Sequence, residues 1–411
     1  MLIVMKVGGS LLENIAAIKK TAERVVRRQH QGNKIVLVVS ALKGETDNLI
    51  DVAKKNFANP FPKAMDLFLA TGEQRACALM CMAIAETGGK ADPFIAPKLS
   101  LITDSSFGDA KVKSIDKEKI IKSLEQGNIV VVAGFQGVDE EFDITTLGRG
   151  GSDLTAVIIA IILAADLCEL YKDAGGILTA DKKIVHTAKK LSKISHEELV
   201  ELASAGAKVV QSRAALLAMM YQVPLVIRPE SEDDESQTKV LKENEMSPIE
   251  KMVVASIAGK TDEILASVPG VLDEPGRAAV IFRRLAEAGI EVNLILQDAK
   301  KEDHRCQITI SVPAAKIDQV REVLSAVAKD IGAGEPFYDE NVAIVSVVGI
   351  GMKTNLGVAA DVFEALAERG INVERTSTSD IKISVVIRKG LVDKAVKALH
   401  ERFIESGEIE E

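Results

Sequence analysis

Cysteine, histidine and long apolar runs are all scarce in this chain of 411 residues, and each scarcity removes a class of protein. Of four cysteines, Cys77 and Cys81 stand four apart in a helical pattern, while Cys168 and Cys306 are isolated in strand-like runs. That spacing gives neither a disulfide framework nor the paired C-x-x-C units of a zinc site, so all four read as reduced core residues. The histidines (His30, His186, His196, His304, His400) are scattered, none paired with a Ser or Cys nucleophile motif, and most of them read as surface residues. No basic stripe appears, and the net charge of −9 argues against a nucleic-acid surface. The apolar run at 157–163 stops before Asp166, short of a membrane span, so no membrane partner is expected. The N-terminus lacks the basic region and cleavage site of a leader and reads as a first strand, with the cytoplasm as the expected location. The phosphate loop G-x-x-x-x-G-K-[ST] is also missing.

What remains is 47% hydrophobic and 27% charged, the composition of a globular protein, and the length implies two or three domains. Residues 1–228 alternate short apolar runs (2–7, 34–40, 129–135, 167–171, 225–227) with helical stretches. This α/β pattern predicts a largely parallel sheet sandwiched by helices, with ligands outside the carboxyl ends of the strands. Residues 229–250 are rich in Glu, Asp, Ser, Lys and Asn and read as a linker. An internal repeat follows: Gly276, Phe282 and Gly289 recur 81 positions later as Gly357, Phe363 and Gly370. Each copy reads strand, glycine turn, amphipathic helix, strand. The whole predicts two ferredoxin-like βαββαβ domains at 251–330 and 331–411. Met246 and Met252 precede the repeat and would suit an internal start for a separate regulatory chain.

The richest motif is Thr145-Thr146-Leu147-Gly148-Arg149-Gly150-Gly151-Ser152-Asp153, between a predicted strand and an apolar helix. Glycines let the backbone approach a charged ligand, unpaired N–H groups at the helix start suit an anion, and Arg149 can clasp a carboxylate or phosphate with two bonds. Lys6-Val7-Gly8-Gly9-Ser10 suits phosphate oxygens or is a simple strand-to-helix turn. Ser40 to Asp47, with Thr46, could hold a small substrate or only cap a helix near Asn48. Thr71-Gly72-Glu73-Gln74 reads as a turn at a helix start, where Glu73 binds an ammonium or complements the helix dipole. Tyr171 to Lys183 follows a strand and carries both signs of charge. Ser204-Ala205-Gly206-Ala207-Lys208 ends a helix, and Lys208 reaches a nucleotide or is a plain surface lysine.

In that order and at those separations, these motifs resemble the aspartokinase branch of the amino-acid kinase family. The resemblance covers the whole chain, including two C-terminal ACT-type regulatory domains, and is most specific at 145–156. It implies an amino-acid-kinase-like fold and transfer of the ATP γ-phosphoryl group, with Mg2+, to the β-carboxylate of L-aspartate. An attacking carboxylate is already ionised at neutral pH, so no general base is needed and the shortage of histidine is no obstacle; catalysis rests on positioning and charge. By match to the family, Lys6 stabilises the transferring group. Asp153 orients the reacting groups around Mg2+ and anchors Lys6. Arg149 binds the substrate α-carboxylate and Glu73 its ammonium, with Thr46, Gly150 and Ser152 assisting. Gly8, Gly9, Ser10, Lys172, Asp173, Lys183 and Lys208 line the ATP pocket, and no metal ligand set on the protein is implied, Mg2+ being held mainly through the ATP phosphates.

The resemblance also implies an effector, lysine and/or threonine, surrounded by Asp273, Gly276 and Gln297 of the first repeat and Met352, Val358, Asn372 and Ser379 of the second. Pairing into a homodimer or higher oligomer through the ACT domains is implied too. The chain departs from the family in its nucleotide loop, where T-D-V-D-G-V-Y-T-A-D-P-R is usual. Here Leu178 replaces an aromatic, Gly175 an acid, and Lys182-Lys183 a Pro-Arg pair. Lysine keeps the charge and loses the bidentate fork. The chain stops soon after the second ACT copy, so a monofunctional enzyme without a fused dehydrogenase is expected. Two rivals are a kinase of the same fold acting on another carboxylate, such as acetylglutamate, and an amino-acid sensor whose kinase half is inactive. The ACT pair and Glu73 speak against the first; retention of Lys6, Arg149 and Asp153 speaks against the second.

Overall fold

The computed structural model describes residues 1–207, 209–231, 236–242, 253–300, 304–350, 352 and 357–406. Compact packing divides the chain into two units. The first comprises Met1–Leu178, Lys189–Ser204 and Lys208–Ile249; the second comprises Thr179–Ala188, Ala205–Ala207 and Glu250–Glu411. The expected nucleotide loop is therefore divided after Leu178, with Lys183 falling in the second unit.

An eight-stranded sheet organises the first unit. In spatial order its strands are Lys193–Ser195, Thr238–Leu241, Leu225–Pro229, Leu167–Lys172, Leu2–Val7, Lys34–Val39, Ile129–Ala133 and Ala91–Phe94. Every pairing is parallel except Leu225–Pro229 with Thr238–Leu241. The central strands are Val- and Ile-rich and buried on both faces, as a helix-covered parallel sheet requires. On one face, Val25, Val26 and Ile18 of the helix Ile15–His30 and Met80 and Ile84 of the helix Pro62–Glu86 pack against Ile3, Met5, Leu37 and Val131. Each such side chain, fully buried, contributes about 1.5–3 kcal/mol.

Two expectations change. The stretch read as a linker contributes a strand, Thr238–Leu241, to the main sheet, because alternate residues Thr238 and Val240 are buried there. Thr71 to Gln74 is no turn but lies inside the 25-residue helix Pro62–Glu86. Gly72 sits there because an added Cβ would lie 2.9 Å from the Ala41 Cβ, so glycine lets helix and loop touch. This helix is also long and apolar enough, by length and composition, to cross a membrane, although half of its most apolar window is buried within the protein.

The second unit holds two four-stranded antiparallel sheets. One runs Leu294–Lys300, Arg305–Pro313, Glu263–Leu272, Phe337–Asp339; the other runs Val253–Lys260, Val342–Ile350, Lys382–Arg388, Arg375–Thr378. Two helices pack on each sheet: Arg277–Glu287 and Ile317–Asp330 on the first, Val358–Ala367 and Val392–His400 on the second. Gly276 (φ +91°) and Gly357 (φ +115°) start equivalent helices, where the left-handed backbone requires glycine. Strand pairing departs from a division into 251–330 and 331–411. Val253–Lys260 pairs with Val342–Ile350, and Phe337–Asp339 pairs with Glu263–Leu272, so the first repeat is inserted within the second. Met246 and Met252 lie outside the described residues.

All four cysteines are free, three of them buried and Cys81 half-buried. Of the histidines, His196 and His400 are buried, and His400 Nε2 lies 2.9 Å from Thr179 Oγ1.

Candidate active site

Strand order brings the carboxyl ends of Leu167–Lys172, Leu2–Val7, Lys34–Val39 and Ile129–Ala133 side by side. Lys6 and Lys172 stand at the tips of adjacent strands. The helix Gly151–Ile162 starts after Gly150 (φ +79°) and carries Asp153 in its first turn, 2% exposed. Lys172 Nζ donates to Asp153 Oδ2 at 2.6 Å, and Lys6 Nζ lies 3.2 Å from Oδ1 as an ion pair. One buried carboxylate thus orients two ammonium groups and leaves a surplus positive charge. Burial alone would raise the Asp153 pKa, but Lys172 and then Lys6 outweigh it and hold the carboxyl at about 2. Burial pushes the Lys172 ammonium below its usual value, with Asp153 opposing.

Beside this centre, a Cβ on Gly8 would lie 3.1 Å from both Lys6 Nζ and Ser40 Oγ, so glycine is what permits the lysine to lie across the turn. Glu73 reaches the same region from the long helix and is 3% exposed. Its Oε1 accepts from the Ala41 N–H at 3.0 Å, while Oε2 is buried without a hydrogen bond. Burial drives its pKa up to about 7, the Ala41 N–H opposing. An unsatisfied carboxylate oxygen in a buried setting is costly unless a cation arrives to pair with it. Thr46 is half-buried in the first turn of the helix Glu45–Asn56.

Arg149 projects into solvent, its side chain 90% exposed and 3.7 Å from Asp47 Oδ1. The neighbouring Ser152 is buried, and a Cβ on Gly134 would come within 2.8 Å of it. The loop is anchored by a residue that sequence reading missed. Asp66 accepts from the Thr146 N–H at 2.7 Å, the Thr146 hydroxyl at 2.8 Å and the Gly108 N–H at 2.9 Å. Its signal was present: Asp66 and Glu73 are seven apart, two helical turns, on one otherwise apolar face.

Gly8, Gly9 and Ser10 follow the first strand as expected, but a second unforeseen residue meets them. Glu230, from the end of the strand Leu225–Pro229, accepts from the Ser10 N–H at 2.8 Å and from the Ser10 hydroxyl. Asp173 is exposed and accepts from the Ala174 N–H at 2.8 Å. Lys183 is exposed within the second unit, and Lys208 lies outside the described residues.

In the second unit, Asp273, Gly276 and Gln297 line a cavity of about 300 Å³ with Arg277, Cys306 and Ile308. Gln297 Nε2 donates to Asp273 Oδ1 at 3.5 Å. Met352 and Val358 belong instead to the core of the other sheet, and Asn372 and Ser379 are exposed beside it. Among the described residues no group of three or more metal-ligating side chains occurs.

A glycine-lined strand edge bearing two lysines on one carboxylate is a setting that suits an anionic ligand. The model of the amino acid kinase family matches residues 1–229, and an ACT domain model matches 345–403. An aspartokinase of Mycolicibacterium smegmatis is 42% identical over 404 residues, covering 98% of this chain and 96% of the relative. An aspartate kinase of Stutzerimonas stutzeri is 40% identical over 402 residues, covering 98% and 97%. Among solved structures, Escherichia coli aspartokinase III in complex with aspartate and ADP superposes with a TM-score of 0.81 at 20% identity, covering 98% of this chain and 99% of that one, a likeness of fold. The chain belongs to the aspartokinases of the amino acid kinase family. It is an ATP-dependent enzyme, a phosphotransferase with a carboxyl group as acceptor.

Proposed function

We propose that the first unit transfers the γ-phosphoryl group of ATP to the β-carboxylate of L-aspartate, giving 4-phospho-L-aspartate, and that an amino acid bound in the second unit controls it. The observation that carries this reading is Asp153 held between Lys6 and Lys172. Both its oxygens are engaged by ammonium groups, which suits an orienting role rather than metal ligation. Magnesium, were it carried in on the nucleotide phosphates, would supply further charge neutralisation beside Lys6 and Lys172. Lys6 and Lys172 hold the phosphoryl oxygens as negative charge shifts toward the leaving phosphate. Glu73, with its free Oε2, binds the substrate ammonium. Arg149 clasps the α-carboxylate, Thr46, Gly150 and Ser152 shape that pocket, and Gly8, Gly9 and Asp173 line the nucleotide side. Lys183 and Lys208 complete the reading on the family pattern alone.

ADP release measured with aspartate and with acetylglutamate, each with and without lysine or threonine, tests the proposal. Turnover with aspartate alone is expected; ATP binding without turnover would favour the sensor. Arg149→Ala is expected to raise KM for aspartate about 10–100-fold, the worth of a charged hydrogen bond. Its Tm should not move, because the side chain is exposed and its one ion pair is long. An unchanged KM would remove Arg149 from the pocket.

The cavity at Asp273, Gly276 and Gln297 supports an effector site, its carboxylate and amide suiting the ammonium of lysine and/or threonine. Association of ACT domains into a homodimer or larger oligomer would complete it with the exposed Asn372 and Ser379, whereas Met352 and Val358 are buried in their own core and would act only from behind it. Asp273→Ala is expected to raise the half-inhibiting effector concentration at least tenfold and leave uninhibited kcat as it was. Equal sensitivity in the variant would place the effector elsewhere.

A further inference from the structure

The turn Gly8-Gly9-Ser10 has the composition of a phosphate cradle, yet in the structure it holds an anion belonging to the chain itself. Glu230 Oε2 takes both donors of Ser10, the N–H at 2.8 Å and the hydroxyl. Gly9 has φ +53°; a Cβ there would collide with Glu230 Oε1 and stand 3.1 Å from Cδ, so the carboxylate lies flush on the glycine. Glu230 is no loose plug. It is 7% exposed, its N–H donates to the Lys172 carbonyl at 3.2 Å, and its carbonyl accepts from Arg24 Nη2 at 3.0 Å. The residue therefore joins the tip of the Lys172 strand to the turn that follows Lys6, tying together the two lysines that meet on Asp153.

We infer that Glu230 is a positioning residue for nucleotide: its carboxylate fixes the Gly8–Gly9–Ser10 turn and keeps phosphate off the Ser10 donors, directing the transferring group to Gly8, Lys6 and Lys172. Two consequences distinguish this from a merely structural role. The anion and Ser10 act as one unit, so their removals are not additive. The effect falls on the nucleotide and spares aspartate, whose proposed contacts, Glu73 and Arg149, come from other elements. The inference rests on the reading of that turn as nucleotide-facing.

The test compares Glu230→Ala, Glu230→Gln, Ser10→Ala and the double variant Ser10→Ala/Glu230→Ala in the full chain. KM for ATP, KM for aspartate and kcat are followed, with direct ADP binding by calorimetry. Glu230→Ala is expected to raise KM for ATP and Kd for ADP about tenfold while KM for aspartate changes less than twofold. Glu230→Gln, which keeps an accepting oxygen, should recover most of that loss. Ser10→Ala should shift nucleotide binding in the same direction, and the double variant should be no worse than Glu230→Ala. Equal changes in both KM values, no change in either, or additive losses would overturn the inference. Should Glu230→Ala fail to fold, Ser10→Ala and Glu230→Gln decide by the same split. An inactive wild-type chain would defeat the functional proposal instead, and ADP binding would still report on Glu230.

Discussion

Replacing Asp153 by Asn is expected to lower kcat by about two to three orders of magnitude, the scale on which a preorganised charge contact at a reacting group is lost. The reason is geometric and electrostatic together. Among the described residues Asp153 is the carboxylate that holds Lys6 and Lys172, at 3.2 and 2.6 Å from its two oxygens, and an amide offers only one accepting atom and no charge. Two mostly buried ammonium groups would then face each other without a counter-charge. Breaking a buried pair from one side costs about 3–5 kcal/mol, reduced to the extent that Lys172, already depressed by burial, gives up its proton. Asp153→Asn/Lys172→Met removes the uncompensated charge, so it should regain stability without regaining kcat. Recovery of both, or a kcat for Asp153→Asn within threefold of wild type, would show that the ion triad is scaffolding. Because the folded carboxyl titrates at about 2, against 3.8 ordinarily, its stabilising contribution is fully present above about pH 4 and is lost as pH falls through about 2.

Glu73→Gln is expected to weaken substrate binding and strengthen the fold at once. In the wild type the Glu73 carboxyl, normally at 4.5, is raised to about 7 by burial. A folded-state pKa above the unfolded one means the charged form is disfavoured on folding. Stability is thus intact below about 4.5 and declines until the folded group ionises near 7, a cost of about 3 kcal/mol above that pH. Glutamine cannot ionise, so the variant should be more stable than wild type at pH 8 and no more stable at pH 4. The substrate ammonium would lose its charged partner, and KM for aspartate should rise about 10–100-fold. In the wild type, kcat/KM for aspartate should climb with pH through about 7, since that profile reports the free enzyme. A Glu73→Gln variant destabilised at pH 8, or a flat profile between pH 6 and 8, would remove this account.

Both predictions concern residues visible in the sequence for different reasons. Asp153 and Arg149 stand in a local motif whose glycines, charges and flanking apolar runs announce a strand-to-helix anion site. Glu73 carried no such local mark. Thr71-Gly72 pointed to a turn, whereas Gly72 lies in a helix interior because that helix touches Ala41. Asp66 could have been found from its seven-residue spacing to Glu73. Glu230 could not, because it sits in a polar stretch that reads as linker and gains its partner only across 220 positions of chain.

The sequence by itself determined the alternation of buried strands and amphipathic helices, the repeat with its two helix-starting glycines, and the strand tips where charge would gather. These are properties of local periodicity and backbone allowance, which a chain carries before it folds. Only the tertiary structure decided that Asp153 holds two lysines rather than one, that the second repeat takes its first strand from before the first, and that Glu230 fills the glycine turn. Each of those is a pairing between distant segments, chosen by which strand edges meet and which buried charges find partners, and neither choice is written in the neighbours of any single residue.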